Sequence, residues 1–304
     1  MRIVLIGAVD FSRHCLELLL TMQAEVAGVV TTSRPEAYSD FADLLPLTDA
    51  NAIPAITTDN INSDDILQWI SERKPEVIFC FGWSQLIREP LLELAPKGVI
   101  GAHPALIPRN RGRHPLIWAK ALGLKTSGLT FFQMDQGADS GPIVSQKNFE
   151  ILFTDTAFDL YQKIKKMAER QLPEVVQSLQ DPDFRAQRQD LTQSNLWRKR
   201  SRLDGIIDWR MSSEAIINLI RALTRPYPGA TFSHSGEEFI LWAAEPYPVS
   251  GRESWAALDH EPGKCVWLQE TNGKVRPIIR TYDGYILLTE WQGNLRIQPE
   301  QYLD

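Results

Sequence analysis

The sequence predicts an α/β fold with a parallel sheet, followed by a small β-rich domain. The first half of the chain alternates short β-branched runs with segments of helical periodicity, an order typical of βαβ units. The last third carries short apolar runs separated by Ser-Gly, Asn-Gly and Asp-Gly turns, which are typical of antiparallel hairpins. With 304 residues, 43% of them apolar, the chain is long enough for two domains. We place them at residues 1–190 and 191–304.

The elements of the first half follow in order. A first strand is expected at Arg2–Ile6, and Asp10 is expected to cap a helix with apolar positions at helical spacing. The next predicted elements are a strand at Glu25–Thr31, a helix at Ile61–Arg73 stopped by Lys74-Pro75, and strands at Val77–Phe81 and Gly98–Gly101. Because parallel strands end at one edge of a sheet, we expect Gly82–Leu86, His103 and Asp139 to meet there.

The second half changes character. Thr154–Leu179 is predicted to be helical with an interruption at Pro173, and the polar stretch 181–205 is predicted to be a linker. An amphipathic helix is expected at Ser213–Leu223. Strands are then predicted at Phe239–Ala243, Lys264–Leu268, Pro277–Thr281 and Tyr285–Glu290. This β-rich unit, for which an OB-like barrel is one arrangement, is also the expected surface of a homodimer.

Composition and charge exclude several classes. The formal net charge is −6, which argues against a nucleic acid partner. The three cysteines form no CxxC pair, so neither a disulfide framework nor a metal site is expected. The apolar start, MRIVLIGAVD, is too short for a signal peptide, and no run of membrane-spanning length follows. We therefore expect a cytoplasmic protein without a membrane partner. The first turn, GAVDFS, lacks the GxGxxG spacing of dinucleotide sites.

The motifs HPALIPRNRGR and, further on, MDQGADSGPI carry the chemical signal. The first sets His103 after a strand and before an Arg-Gly-Arg loop, and the second sets Asp139 between small residues. Together with DGIIDW and LTRPYPGA nearer the carboxyl terminus, the sequence resembles the folate-dependent formyltransferase family, which includes the methionyl-tRNA formyltransferases. The resemblance implies a Rossmann-like formyltransferase domain at residues 1–190. It also implies an enzyme that transfers a formyl group from N10-formyltetrahydrofolate to an amine, without a metal.

The resemblance assigns the site residues. His103 and Asp139 are the catalytic pair, since a histidine beside a carboxylate can move protons near neutral pH. The folate-binding residues that it implies are Gly82, Trp83, Ser84, Gln85, Leu86, Ile87, Asp135 and Gly137. The acceptor-binding residues are Arg111, Gly112, Arg113, Trp118, Arg225 and Tyr227, because guanidinium groups suit phosphorylated substrates.

Two branches of the family differ in their acceptor. One formylates methionine on initiator tRNA and carries a basic loop early in the first domain, whereas the other formylates a nucleotide-linked amino sugar. In residues 32–55 the only cation is Arg34, set against several acids, so this loop favours the sugar branch. A dideoxy-amino hexose acceptor and a role in lipopolysaccharide O-antigen biosynthesis are what this branch implies. Methionyl-tRNA formylation is the alternative.

One position departs from the family pattern. Gly101 stands where the family has an asparagine, two residues before the histidine, and the side chain of that asparagine donates to the developing oxyanion. A comparable donor contributes roughly 3 kcal/mol to catalysis. Gly101 therefore leaves a further alternative open, a catalytically weakened protein that binds folate or a nucleotide sugar. Hydrolysis of the formyl donor without any acceptor is another.

Overall fold

The computed structural model describes residues 1–250, 255, 258–271 and 273–304. The chain divides into two compact units. Unit 1 comprises residues 1–115, 126–149 and 162–198, and unit 2 comprises residues 116–125, 150–161 and 199–304. The domain boundary predicted from the sequence, between residues 190 and 191, stays a prediction.

The strands of unit 1 form one seven-stranded sheet in the order β3-β2-β1-β4-β5-β7-β8. Their bounds are β1 Arg2–Gly7, β2 Glu25–Thr32, β3 Ala55–Thr58, β4 Val77–Phe81, β5 Val99–His103, β7 Thr126–Gln133 and β8 Ile143–Glu150. The pairs from β3 to β5 are parallel, and β7 runs antiparallel to β5. Two short strands, β6 at Arg111–Gly112 and β9 at Leu196–Trp197, pair with each other outside this sheet. The predicted α/β fold with a parallel sheet is confirmed.

Helices connect the strands. Their bounds are α1 Asp10–Thr21, α2 Leu45–Ala50, α3 Asp64–Glu72, α4 Glu89–Leu92, α5 Pro115–Ala121 and α6 Ala157–Gln180. Two expectations about these helices were wrong. Val9, not Asp10, is the N-cap of α1, and Asp10 is instead the first helical residue and pairs with Lys165 at 2.8 Å. Helix α6 continues through Pro173, because the flanking Leu172 and Val175 are fully buried and their packing holds the helix together.

A single hydroxyl group joins the carboxyl ends of β1 and β4. Ser12 Oγ accepts hydrogen bonds from the backbone N–H groups of Ala8 and Val9, both at 3.2 Å. The same hydroxyl donates to the carbonyl oxygen of Phe81 at 2.6 Å. Ser12 is fully buried, so this link replaces water for three backbone groups at the edge where ligands bind in such sheets.

Unit 2 contains helix α7 at Ser213–Leu223 and an antiparallel five-stranded sheet in the order β10-β11-β14-β13-β12. Its strands are β10 Ala230–His234, β11 Glu237–Pro246, β12 Cys265–Thr271, β13 Lys274–Arg280 and β14 Tyr285–Gln292. Helix α7 packs against β10 and β11, and stacked Phe232 and Phe239 lie beside Trp209 in the core. The small β-rich unit is confirmed as an antiparallel sheet with β10 and β12 at its edges.

A buried lysine is the most unusual group of unit 2. The Lys120 side chain is almost completely buried, and its Nζ donates to the carbonyl oxygens of Leu152 and Phe153 at 3.2 and 2.8 Å. The Arg221 guanidinium also donates to the Phe153 carbonyl oxygen and lies 4.4 Å from the centre of the Phe153 ring. Burial, with the charge of Arg221 adding to it, lowers the pKa of Lys120 from 10.5 to about 8.

Candidate active site

His103 is the last residue of β5 and is 5% exposed. Its Nε2 lies 2.8 Å from the carbonyl oxygen of Asn110, and its Nδ1 lies 3.5 Å from Oδ2 of Asp139. A carbonyl oxygen can only accept a hydrogen bond, so Nε2 is the nitrogen that carries hydrogen. In the neutral ring Nδ1 therefore has a free lone pair, and it faces a carboxylate that stabilises a proton taken up there.

Asp139 approaches His103 from a tight turn. Its backbone has φ of +54°, in the left-handed region that aspartate tolerates better than most residues. Oδ2 of Asp139 accepts a hydrogen bond from the backbone N–H of Gly112 at 2.9 Å, and the Asp139 carbonyl oxygen accepts one from Gln189 Nε2 at 2.8 Å. The side chain is 22% exposed, so the carboxylate is fixed on one side and open to solvent on the other.

The loop at residues 110–113 connects the two members of this pair. Strand β6 within it pairs in parallel with β9, and Arg113 N–H donates to the Trp197 carbonyl oxygen at 3.0 Å. Gly112 has φ of +104°, and a Cβ at this position would lie 2.3 Å from the Trp197 carbonyl oxygen. Only glycine fits here, and the close approach lets its N–H reach Asp139.

The loop predicted to bind folate follows β4 directly. Gly82 has φ of +63°, and a Cβ there would lie 2.1 Å from a Val9 methyl group. Ser84 N–H and Oγ both bond the Tyr38 hydroxyl, at 3.2 and 3.0 Å. Arg113 Nη1 donates to the Ser84 carbonyl oxygen at 3.0 Å, so this loop and the 110–113 loop are in direct contact.

The remaining residues of the predicted folate loop occupy different surroundings. The Gln85 side chain forms hydrogen bonds with backbone groups of this chain, since its Oε1 accepts from Ile61 N–H and its Nε2 donates to the Asp59 carbonyl oxygen. The Leu86 side chain is 62% exposed, whereas Ile87 is 1% exposed within the core. Folate contact by Ile87 therefore stays a prediction that its core packing does not favour.

One polar group of this loop lacks a hydrogen-bond partner in the part of the chain that the structure describes. The indole Nε1 of Trp83 is buried and has no hydrogen-bond partner among the described residues. An unpaired buried donor is costly, and an acceptor on a bound heterocycle would satisfy it. The Trp83 ring packs between the core and Tyr38, whose ring centre is 6.3 Å away. Folate contact by Trp83, Ser84 and Gly82 stays a prediction.

Asp135 and Gly137 form the start of the turn that carries Asp139. Asp135 Oδ1 accepts from Gly137 N–H at 2.9 Å and from Ser140 Oγ at 2.7 Å. This carboxylate therefore closes the turn at residues 135–140. A direct contact of Asp135 or Gly137 with folate stays a prediction.

The predicted acceptor residues divide between the two units. Arg111, Gly112 and Arg113 lie in the 110–113 loop beside His103. Trp118, Arg225 and Tyr227 belong to unit 2. There the Trp118 ring lies 5.7 Å from the Arg200 guanidinium, and Arg225 pairs with Glu290 at 2.8 Å.

Two family models match most of the chain. Residues 1–176 match the model described as formyl transferase, and residues 199–303 match the model for the formyl transferase C-terminal domain. The chain belongs to the formyltransferase family. In the part that the structure describes, no group of three histidine, cysteine or acidic side chains could hold a metal ion. The same residues contain no helix both long and apolar enough to cross a membrane.

Solved structures of other proteins have the same fold. HypX from Aquifex aeolicus in complex with tetrahydrofolic acid is 18% identical, with a TM-score of 0.68 over 96% of this chain and 44% of that chain. WlaRD, a sugar 3N-formyl transferase in the presence of dTDP and 5-N-formyl-THF, is 21% identical, with a TM-score of 0.67 over 94% of this chain and 96% of that one. The N-formyltransferase from Helicobacter canadensis, with folinic acid and dTDP-3-aminofucose, is 19% identical, with a TM-score of 0.65 over 94% and 98% of the two chains.

This formyltransferase chain spans less than half the length of the HypX chains that it matches. It spans nearly the full length of WlaRD and of the N-formyltransferase from Helicobacter canadensis. At these identities the likeness shows the fold, and residue roles rest on the geometry of this chain.

Packing explains why glycine stands at position 101 of this formyltransferase. Gly101 lies on β5 opposite Phe132 of β7. A Cβ there would lie 3.0 Å from two ring atoms of Phe132 and 3.0 Å from Met134 Cγ. The space that an asparagine side chain needs is therefore occupied by two apolar side chains. An amide at this position requires both neighbours to move.

Three further residues contribute to the site without being among those predicted from the sequence, namely Asn110, Gln189 and Asn195. The Asn110 carbonyl oxygen accepts the Nε2 hydrogen of His103 and so sets its tautomer. Gln189 and Asn195 lie in the stretch predicted to be a linker, yet they bond Asp139 and Asn110. The one available signal was Asn110 itself, because asparagine favours the left-handed backbone that it adopts, with φ of +62°.

Proposed function

We propose that this protein transfers the formyl group of N10-formyltetrahydrofolate to the amine of a nucleotide-linked amino sugar of the dideoxy-amino hexose type. The observation that carries the proposal is the His103–Asp139 pair, in which Nδ1 lies 3.5 Å from Oδ2. A cytoplasmic homodimer with a role in lipopolysaccharide O-antigen biosynthesis completes the proposal.

The donor, when bound, supplies an activated formyl carbon. Trp83 and the backbone around Gly82 would hold its ring, as the unpaired indole N–H supports. The Arg113 contact with the Ser84 carbonyl oxygen keeps this loop against the 110–113 loop. This contact between the loops would help to hold a bound donor near His103, and such positioning lowers the entropic part of the barrier.

The catalytic pair handles the proton that the attacking amine must lose. The Asn110 carbonyl fixes hydrogen on Nε2, so the basic nitrogen is Nδ1, on the side of Asp139. A proton accepted at Nδ1 lies next to the carboxylate, which stabilises the resulting imidazolium. The open side of Asp139 lets the carboxylate accept the proton directly or through water. The proton then passes to N10 of the donor as the bond between N10 and the formyl carbon breaks, which releases tetrahydrofolate.

The acceptor is assigned from charge. Arg109, Arg111 and Arg113 alternate along one short loop beside the pair, and guanidinium groups bind the phosphates of a nucleotide diphosphate with charge-assisted hydrogen bonds. The early loop carries acids, and its single cation, Arg34, pairs with Asp59 at 2.7 Å. A polyanion such as tRNA finds little attraction there. The two sugar N-formyltransferases that match along nearly their whole length also support this choice.

An assay with several acceptors tests the proposal. The purified chain is incubated with N10-formyltetrahydrofolate and either a panel of nucleotide-linked dideoxy-amino sugars or methionyl initiator tRNA, and formylated products are identified by mass. Product from a sugar that is lost in His103→Ala supports the proposal. Product from tRNA alone contradicts it. Donor binding without turnover of any acceptor identifies a binding protein, and formate release independent of an amine identifies a hydrolase.

A further inference from the structure

The polar segment at residues 187–197, which we name the tether, holds both members of the catalytic pair. We propose that Gln189 and Asn195 are positioning residues, which fix the separation and orientation of His103 and Asp139 through the loops that carry them. This inference rests on the proposed function. It assigns a role to a stretch whose sequence predicts only a linker.

One end of the tether holds the Asp139 turn. Gln187 and Ile143 exchange two backbone hydrogen bonds, at 2.7 and 2.8 Å, and this fixes the chain beside the start of β8. Two residues on, Gln189 Nε2 donates to the carbonyl oxygens of Asp139 and Gly141, at 2.8 and 2.6 Å. These bonds hold the backbone of a residue whose φ is +54°, a conformation that relies on its surroundings.

The other end holds the loop opposite His103. Asn195 Oδ1 accepts from the backbone N–H of Asn110 at 2.8 Å, and the Asn195 carbonyl oxygen accepts from Arg111 N–H at 3.2 Å. The carbonyl oxygen of the same Asn110 accepts the Nε2 hydrogen of His103. Asn195 therefore holds the N–H group of Asn110, and the carbonyl group of Asn110 sets the tautomer of His103.

The middle of the tether is a self-contained turn. The Asp190 carboxylate accepts hydrogen bonds from Thr192 N–H, Thr192 Oγ1 and Gln193 Nε2. The hydrogen bonds from Thr192 and Gln193 also hold the pKa of Asp190 below its ordinary value. This turn gives the segment a fixed shape between its two ends. If the Gln189 end moves, the Asp139 turn moves with it, and if the Asn195 end moves, the loop that contacts His103 moves with it.

The test uses isosteric variants that remove one hydrogen-bonding group each. Asn195→Leu removes the acceptor for Asn110 N–H, and Asn195→Asp keeps it. Gln189→Met removes the donor to Asp139, whereas Gln68→Met is a matched control outside the tether, since Gln68 bonds Glu72 at the surface of helix α3. We expect Asn195→Leu and Gln189→Met to lower kcat by about tenfold or more with KM changed less than twofold, because displacements of about 1 Å cost rate. Asn195→Asp and Gln68→Met should keep the wild-type kcat.

A double-variant experiment separates positioning from general damage. If the tether acts through the pair, Asn195→Leu has no further effect on the residual rate in a His103→Ala background, whereas a loss of folded protein lowers both rates equally. Wild-type kcat in Asn195→Leu, or equal losses in Asn195→Asp and Asn195→Leu, would overturn the proposal.

A spectroscopic readout keeps the inference independent of the acceptor. The ring Nε2–H proton of His103 should give a slowly exchanging NMR signal in the wild type and in Asn195→Asp, and this signal should be lost in Asn195→Leu. If the wild type formylates none of the sugars but shows this pattern, the proposed function fails and the positioning role stands. An unchanged signal in Asn195→Leu overturns the positioning role whatever the acceptor is.

Discussion

The His103 region of unit 1 and the Lys120 region of unit 2 both set a basic side chain against backbone carbonyl oxygens, with opposite results. Lys120 donates to two carbonyl oxygens in a closed environment and has a lowered pKa. His103 donates to one carbonyl oxygen, and its second nitrogen faces a carboxylate that is open to solvent on one side. The comparison teaches that carbonyl oxygens on both sides leave Lys120 no free group for proton exchange, whereas a second nitrogen beside a partly exposed carboxylate makes His103 the candidate base.

The largest expected effect is at the proposed catalytic pair, His103 and Asp139. His103→Ala and Asp139→Asn should each lower kcat by at least about a hundredfold, because each removes the basic nitrogen or the charge that stabilises its proton. Single-turnover kinetics with the formyl donor and the best sugar acceptor measure this. His14→Gln, at a histidine that pairs with Glu169, is the control and should keep the wild-type rate. A near-normal rate in either variant removes that residue from the mechanism.

The packing at Gly101 should give the next largest effect. Gly101→Ala is expected to destabilise the protein by roughly 1–3 kcal/mol, since the new Cβ would press on the Phe132 ring and on Met134. Urea denaturation measures the change in the free energy of unfolding. In a Phe132→Leu background the cost of Gly101→Ala should shrink, because the ring atoms are gone. An equal cost in both backgrounds would locate the strain elsewhere.

The buried Lys120 should make the free energy of unfolding depend on pH. Its folded pKa of about 8 lies below its ordinary value of 10.5, so between these values the unfolded chain binds more protons and stability rises with pH. The cost of burying the charged Lys120 side chain should fall by up to about 3 kcal/mol of unfolding free energy between pH 8 and pH 10.5. Below pH 8 this cost should stay constant. It is measured as the difference in unfolding free energy between the wild type and Lys120→Met.

That difference is needed because the cysteines act in the opposite direction. Burial raises the pKa of Cys80 to about 12 and that of Cys265 to about 11, and it also raises the pKa of Cys15. Stability from these thiols is therefore lost as pH rises above 9. The loss is the same in both proteins and cancels in the comparison. A difference that does not depend on pH would show that the Lys120 ammonium is solvated.

The smallest effect is expected on the surface. Arg34 and Asp59 form an exposed pair, and such pairs contribute about 0–1 kcal/mol to stability. Arg34→Gln should leave both the free energy of unfolding and kcat/KM for a nucleotide-linked sugar close to the wild-type values. A fall in kcat/KM for methionyl-tRNA in the same variant would instead give this loop a role in binding nucleic acid.

The sequence predicted elements whose signals are local. The strand Val77–Phe81 and the helix Ser213–Leu223 have the predicted bounds. A compact apolar run and an apolar stripe at helical spacing are both visible in the local sequence. Strand β7 was missed, since its Ser127 and Gly128 weaken the strand pattern and its burial comes from neighbouring strands. Pro173 was given a helix-breaking role that tertiary packing overrides.

The candidate site shows the same division. His103 and Asp139 were identified from motif order, and the structure brings them together. The tether was missed because its bonds join residues far apart in the chain, with separations of 50 residues for Gln189 with Asp139 and 85 for Asn195 with Asn110. Neither hydrophobic periodicity nor secondary-structure propensity predicts hydrogen bonds between residues so far apart in the sequence.

The Ser12 hydroxyl has a practical consequence for redesign. It bonds backbone groups at the ends of two neighbouring strands, and no other side chain takes part in those bonds. An exposed side chain of the loop after β4, such as that of Leu86, can therefore be replaced while the ends of β1 and β4 stay joined. Ser12 itself is the position to leave untouched, because one substitution there would release two loops at once.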